Sequence, residues 1–141
     1  MRRQICVIDG QGGGLGGSLI KYIRDIYGES IEVVALGTNA IAASQMMKSG
    51  ANRGASGENA ITRIVSESYV IIGPISITWA NAMMGEVTPQ IAESVMSSAG
   101  LKILLPVHQE RVAIAGVYKE PMPHLIKILV EEELRKVLNH V

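Results

Sequence analysis

The chain carries little charge and few aromatic side chains. Of its 141 residues, 18% are charged and 4% are aromatic, and phenylalanine is absent. Thirteen basic and thirteen acidic side chains cancel to a net charge of zero, so we expect no nucleic-acid partner. Because 48% of the residues are hydrophobic, little polar material is left to cover a small globule, which predicts a homo-oligomer.

Cysteine and closely spaced histidines are also scarce. Cys6 is the single cysteine, so the chain cannot form an internal disulfide. His108, His124 and His140 lie too far apart along the chain for a local pair of metal ligands. We therefore expect neither a disulfide framework nor a metal site.

Long hydrophobic runs are missing as well. No apolar stretch approaches the roughly 18 residues that a membrane span needs. The chain starts with basic residues, but the apolar stretch behind them ends at Asp9 and is too short for the core of a signal peptide. These absences predict a cytoplasmic protein with no membrane partner.

The first 36 residues have the pattern of a strand, a helix and a second strand. Residues 5–8 form a short continuous apolar run, as expected for a strand buried on both faces. Apolar residues then recur at helical spacing until Gly28, and residues 31–36 predict the second strand. Such a βαβ unit has parallel strands and a right-handed crossover.

Helices and strands continue to alternate along the rest of the chain. Helices are predicted over residues 40–48, around residues 61–65, over residues 88–98 and over residues 123–139, with a third strand at residues 70–72. Thr88 is expected to cap its helix, because proline follows it at the first helical position. The segment 75–84 fits neither the helical nor the strand period.

Two further strands are expected towards the C-terminus. Residues 102–107 form the fourth predicted strand and residues 112–117 the fifth, with four residues between them. Because a parallel crossover needs about a dozen residues, this pair is predicted to be an antiparallel hairpin. The expected fold is α/β: a single three-layer Rossmann-like domain over residues 1–141, with a mostly parallel sheet of about five strands and an antiparallel C-terminal edge hairpin.

A glycine turn, residues 10–17, connects the first strand to the first helix. The predicted cofactor-binding residues here are Asp9, Gly10, Gln11, Gly12, Gly13, Gly14, Leu15 and Gly16. Glycine permits close backbone approach, while free N–H groups and the positive end of the helix attract a phosphate. Asp9 is expected to brace the turn by accepting from backbone N–H groups. The alternative is that the glycines serve only a tight turn and helix-to-sheet packing.

The turn resembles those of two nucleotide-binding families and departs from both. Gly10, Gly14 and Gly16 match the GxxxGxG spacing of short-chain dehydrogenases, but no tyrosine has a lysine four positions later, so that family's catalytic pair is missing. Residues 13–18 resemble the deviant P-loop of ParA-like ATPases, although Gly12 and Gly17 stand where that loop has lysines. ATP hydrolysis is therefore not expected.

Six short motifs are spread along the chain: IDGQGGG, ALGTNA, GENAI, GPI, GEVTP and PHLI. Together they resemble a family of short, uncharacterised bacterial proteins of about this length. The resemblance implies a common fold and a shared site. It implies no reaction.

The end of the second predicted strand bears on the identity of the cofactor. An acidic residue there binds the ribose of NAD, and a basic residue favours NADP. The chain has Thr38 and Asn39 instead, which can hydrogen-bond a ribose or cap the following helix. NAD(P) is the leading candidate cofactor.

Two residues are candidates for acid–base chemistry. His108 follows the fourth predicted strand, which would bring it to the ligand edge of the sheet, although it also suits a solvated loop. Glu58 belongs to a polar cluster with Arg53, Ser56 and Asn59 that could close over a ligand. Ser56 and Glu58 equally suit the start of a helix, as its cap and as an acidic residue in its first turn.

The sequence thus predicts a nucleotide- or dinucleotide-binding domain with the phosphates at residues 10–17, and one candidate function is a small oxidoreductase or another nucleotide-using enzyme. Two alternatives remain open. One is a non-enzymatic nucleotide sensor, and the other is an oligomeric assembly protein whose glycines serve packing alone.

Overall fold

The computed structural model describes residues 4–139; residues 1–3 and 140–141, which include Arg2, Arg3 and His140, lie outside the described residues. The strands are β1 (Gln4–Asp9), β2 (Glu32–Gly37), β3 (Arg53–Ser56), β4 (Val70–Pro74) and β5 (Leu101–Leu105). The helices are α1 (Gly14–Tyr27), α2 (Ala40–Lys48), α3 (Glu58–Val65), α4 (Pro89–Ser97), α5 (Met122–Lys127) and α6 (Leu134–Leu138). A 3-10 helix covers Ile75–Thr78, and a π-helical segment, Ile128–Glu133, joins α5 to α6.

The strands pair in parallel throughout, in the order β3-β2-β1-β4-β5. β1 therefore lies at the centre, and Val7 sits between Ala35 of β2 and Ile72 of β4. Every residue of β1 and β4 is buried, which explains why residues 5–8 and 70–72 are apolar without alternation. The predicted Rossmann-like α/β fold is confirmed.

The predicted antiparallel hairpin at the C-terminal edge is wrong. The strand expected at residues 102–107 is β5, which follows α4 and pairs parallel to β4. Residues 112–117 belong to an irregular loop, residues 106–121, in which Val112 and Val117 are 45% and 43% exposed. Because these side chains stay in solvent, little burial would offset the entropy lost in ordering a further strand.

The edge strand β3 is not indicated by the sequence. Its residues are mostly exposed and include Gly54, so they show neither an apolar run nor a regular alternation. The strand forms because its backbone pairs with β2, where Val34 faces Arg53 and Gly37 faces Ser56. Arg53 and Ser56, which the sequence grouped in a polar cluster, are therefore part of the sheet.

Helices cover both faces of the sheet and complete three layers. On one face, α1, α2 and the C-terminal helices bury a cluster that includes Leu19, Met46 and Leu129. On the other face, α3 and α4 bury a second cluster that includes Ile61 and Ile91. The carboxyl ends of the strands remain between these layers and can present residues to a ligand.

The segment that fits neither sequence period consists of the 3-10 helix followed by turns. We call residues 79–87 the strap. Asn81, Met83 and Met84 in the strap have φ of 69°, 56° and 57°. Left-handed conformations at three non-glycine residues explain why the sequence of this segment shows neither a helical nor a strand period. Backbone strain of this kind is concentrated at functional sites.

The C-terminal helix, predicted as continuous over residues 123–139, is π-helical in its middle. The wider turn shifts backbone carbonyls from their usual partners, and the Tyr27 hydroxyl donates to the Val130 carbonyl at 2.7 Å. The Tyr22 hydroxyl donates to Glu131 in the same segment. Within residues 4–139, neither this helix nor any other is long and apolar enough to cross a membrane.

Candidate functional site

A cavity of about 330 Å³ lies at the carboxyl ends of β1, β4 and β5. Its walls are formed by residues 9–15, Pro74, Ser76, Met83, residues 107–110 and Met122. From β1 the chain continues to β2 on one side, and β4 lies on the other, so the strand order reverses here. Open parallel sheets bind their ligands at this point.

Asp9 braces the glycine turn from below. Its Oδ1 accepts from the Gly10 N–H at 2.8 Å, and its Oδ2 accepts from the Gly16 N–H at 2.7 Å. The side chain is buried, and burial raises the pKa of Asp9 even though both backbone hydrogen bonds oppose the rise. The carboxylate therefore couples the end of β1 to the first turn of α1.

Packing requires glycine at some positions of the turn and not at others. A Cβ at Gly13, where φ is +73°, would lie 2.8 Å from the backbone of Ala42. A Cβ at Gly16 would lie 2.5 Å from a methionine sulfur of α2. At the exposed Gly12 and Gly14, a Cβ would meet no atom within 4 Å. The bare backbone at these two positions faces the cavity and leaves room for a ligand.

Three N–H groups of the turn have no hydrogen-bond acceptor within residues 4–139. They belong to Gly12, Gly14 and Leu15, all of which line the cavity. The Gly17 N–H is the first to bond within the helix, to the Gly13 carbonyl at 2.9 Å. Unpaired N–H groups at the positive end of a helix form an anion-binding site.

Glu86, in the strap, is a site residue that the sequence analysis missed. Its Oε1 accepts from the Gln11 N–H at 2.8 Å, from the Thr38 hydroxyl at 2.7 Å and from the Asn39 amide at 2.8 Å. Partial burial raises the pKa of Glu86, but these three donors outweigh it and lower the pKa below its ordinary value. The position within the GEVTP motif was the one available signal, since the partners are far away in sequence.

Thr38 and Asn39 lie beside the turn but do not line the cavity. Asn39 caps α2, because its Oδ1 accepts from the Ala42 N–H at 2.9 Å. Its amide nitrogen also donates to the Gln11 carbonyl at 3.0 Å. The polar groups proposed for a ribose are thus engaged in a cap and in contacts with Glu86 and the turn.

The strap closes the side of the cavity that faces β2. Its Met83 N–H donates to Glu110 Oε1 at 3.0 Å, which connects the strap to the loop after β5. A Cβ at Gly10 would lie 2.5 Å from both Met83 Sδ and Thr38 Oγ1, so strap and turn are in direct contact. The cavity therefore extends towards β4 and β5.

His108 lines the cavity together with the glycine turn. His108 reaches the cavity without the predicted hairpin. Because β5 runs parallel to β1, both strands end at the same edge of the sheet. His108 Nδ1 accepts from the Glu110 N–H at 3.1 Å, and its ring contacts Trp79 edge-on with centroids 4.7 Å apart. In the neutral ring this leaves the proton on Nε2, as a donor to a ligand.

Glu58 and its polar neighbours are not at this cavity. Glu58 accepts from the Thr88 hydroxyl at 2.5 Å and so supports the start of α4. The Arg53 guanidinium, towards the amino ends of the strands, pairs with a glutamate of β2 at 2.9 Å. The predicted cap by Ser56 is wrong, because Gly57 occupies the cap position of α3.

Cys6 does not line this cavity. Cys6 is buried in β1, its Sγ lies 2.7 Å from Ser68 Oγ, and burial raises the pKa of the thiol. Across residues 4–139, no three His, Cys, Asp or Glu side chains come together as metal ligands.

Substituting Glu86→Gln is expected to destabilise the protein by about 1–2 kcal/mol, because a carboxylate that accepts three hydrogen bonds becomes a neutral amide. The pKa of Glu86 is lowered, so its contribution is fully present above about pH 4.3 and is lost as the pH falls through the folded-state pKa. Urea denaturation at pH 7 and at pH 3 measures this difference. The exposed Glu93→Gln is the control, and an equal loss of stability at both pH values would contradict the expectation.

Comparisons with known proteins place the chain in a family without assigning it an activity. Neither curated proteins nor solved structures give a match. A family model described as a domain of unknown function, DUF3842, matches residues 4–138. That match extends over nearly the whole chain, so the protein belongs to the DUF3842 family.

Proposed function

We propose that the chain binds a nucleotide through a phosphate placed at the glycine turn. One observation carries the proposal: Gly12, Gly14 and Leu15, whose N–H groups have no acceptor within residues 4–139, line a cavity at the point where the strand order reverses. Two of these residues are glycines that packing does not require. A phosphate would supply the acceptors that the turn lacks.

The charges around the cavity limit which phosphate suits it. Among the residues that the structure describes, neither lysine nor arginine lines the cavity, whereas Asp9 and Glu110 do. Backbone N–H groups, the α1 dipole and the His108 ring therefore supply the attraction. We expect a monophosphate or phosphodiester to bind better than a triphosphate, whose larger negative charge would meet these carboxylates.

The shape of the cavity favours a mononucleotide over NAD(P). A dinucleotide in a Rossmann-like site places its adenosine half at the end of the second strand. Here the strap covers that region, and Glu86 engages Thr38 and Asn39.

We also propose a role for His108 and self-association of the chain. We propose that His108 donates to the ligand through the proton that its neutral ring holds on Nε2, and we assign it no step in a reaction. Self-association stays a prediction, and the exposed Ile41, Met96 and Leu101, at 72%, 55% and 51%, are apolar side chains that a partner could cover.

Purified protein is expected to release a nucleotide on heat denaturation, which mass spectrometry of the supernatant would identify. Thermal shifts with AMP, GMP, FMN, NAD(H), NADP(H) and ATP then rank the ligands, and a mononucleotide is expected to raise Tm most. A ligand at about 100 times its Kd adds about 2.7 kcal/mol of stability. If nothing is released and no compound shifts Tm, the proposal fails.

A further inference from the structure

A second cavity, of about 270 Å³, lies beside the one at the glycine turn. We infer that it receives the base of a nucleotide whose phosphate lies at the turn, so that one ligand spans both cavities. This inference rests on the proposed function, and it assigns the specificity for the base to the second cavity.

The two cavities are direct neighbours. Val107 and His108 line both of them. Helix α5 also contributes to both cavities, because its Met122 lines the first cavity and its Leu125 lines the second. Three residues along a helix correspond to a rise of about 4.5 Å. A ligand held by its phosphate in the first cavity therefore needs to extend only past the His108 ring to enter the second.

The second cavity has the surface chemistry that a base requires. Ile114, Val117 and Leu125 supply apolar surface, and Tyr118 supplies an aromatic ring on which a base can stack. Lys119 offers a charged donor to the polar edge of a base. Apolar and aromatic walls with a few polar groups are typical of small-molecule sites.

The loop that forms this cavity otherwise has no explanation in the fold. Residues 106–121 have no regular secondary structure, and loops of this length are commonly functional. Val117 and Tyr118 are 43% and 81% exposed. A base in the cavity would cover apolar surface that the described chain leaves in water.

Ribose 5-phosphate serves as a probe that has the phosphate and sugar but no base. By isothermal titration of the full chain, the preferred nucleotide among AMP, GMP, CMP and UMP is expected to bind about tenfold more tightly than ribose 5-phosphate. Val117→Asp is expected to remove this preference and to leave the affinity for ribose 5-phosphate unchanged. Retained binding of ribose 5-phosphate also shows that the variant is folded.

Val112→Asp is the matched control, because Val112 is in the same loop, is 45% exposed and lines neither cavity. It is expected to bind all probes as the wild type does. Equal affinity of wild-type protein for nucleotides and ribose 5-phosphate overturns the second cavity as a base site while the phosphate site stands. Equal effects of the two aspartate substitutions overturn it as well. If no probe binds, the proposed function itself fails.

Discussion

Gly14→Val is expected to abolish stabilisation by nucleotides while leaving the free energy of unfolding close to that of the wild type. Apart from its chain neighbours and the backbone of α1, a Cβ at Gly14 meets no atom within 4 Å, so the packing around the turn accommodates it. The same side chain would stand in front of N–H groups that face the cavity and would keep a phosphate from approaching the backbone. At about 100 times the wild-type Kd, the loss would be about 2.7 kcal/mol of ligand-dependent stability.

Two further valine substitutions separate ligand binding from packing. Ser18→Val, on the exposed side of α1, is expected to bind nucleotides normally. Gly13→Val is expected to lose at least about 2 kcal/mol of stability without any ligand, because its φ is +73° and its Cβ would contact the Ala42 backbone. Denaturation with and without AMP measures all three variants. Ligand stabilisation that survives Gly14→Val would show that the phosphate is not bound by these N–H groups.

Asp9→Ala is expected to destabilise the protein by about 2–6 kcal/mol. The substitution leaves the Gly10 and Gly16 N–H groups without the carboxylate that accepts from both, at a cost of about 1–3 kcal/mol for each buried donor. Asp9→Asn keeps one acceptor oxygen and is expected to lose less. Equilibrium denaturation in urea at pH 7 gives both values, and the exposed Asp25→Ala is the control.

The pH dependence of these variants provides a second measurement. Burial raises the pKa of Asp9, so the folded state holds its proton more tightly than the unfolded state does. Wild-type stability should therefore fall as the pH rises from the ordinary aspartate pKa of about 3.9 through the raised folded-state pKa. Asp9→Asn should lack this component. A wild-type difference of the opposite sign would mean that the two backbone hydrogen bonds dominate over burial.

Local patterns in the sequence were sufficient to predict the central strand β1 and the start of α4. The apolar run at residues 5–8 predicts β1, because a strand covered on both faces needs apolar residues without alternation. Thr88 and the proline after it predict the start of α4, where the Thr88 hydroxyl accepts from the Ile91 N–H at 3.1 Å. Such signals are reliable because the groups that satisfy them lie within a few residues.

The same local reasoning failed where a distant partner decides the structure. β3 forms on exposed residues because β2 offers a free edge. Residues 112–117 alternate as a strand would but stay in an irregular loop with Val112 and Val117 in solvent, and they do not pair with the outer edge of β5. Spacing along the chain does not show which edges are free.

Some features of the candidate site also follow from local sequence, whereas others depend on tertiary contacts. The amino-acid sequence by itself determined the glycine turn and its place between β1 and α1, because a buried strand, a bend and a helix start are encoded in consecutive residues. Only the tertiary structure decided which glycines face a cavity, that Glu86 closes the β2 side, and that His108 shares the cavity while Glu58 does not. These outcomes depend on contacts between segments tens of residues apart, which form only when the parallel sheet brings the strand ends together.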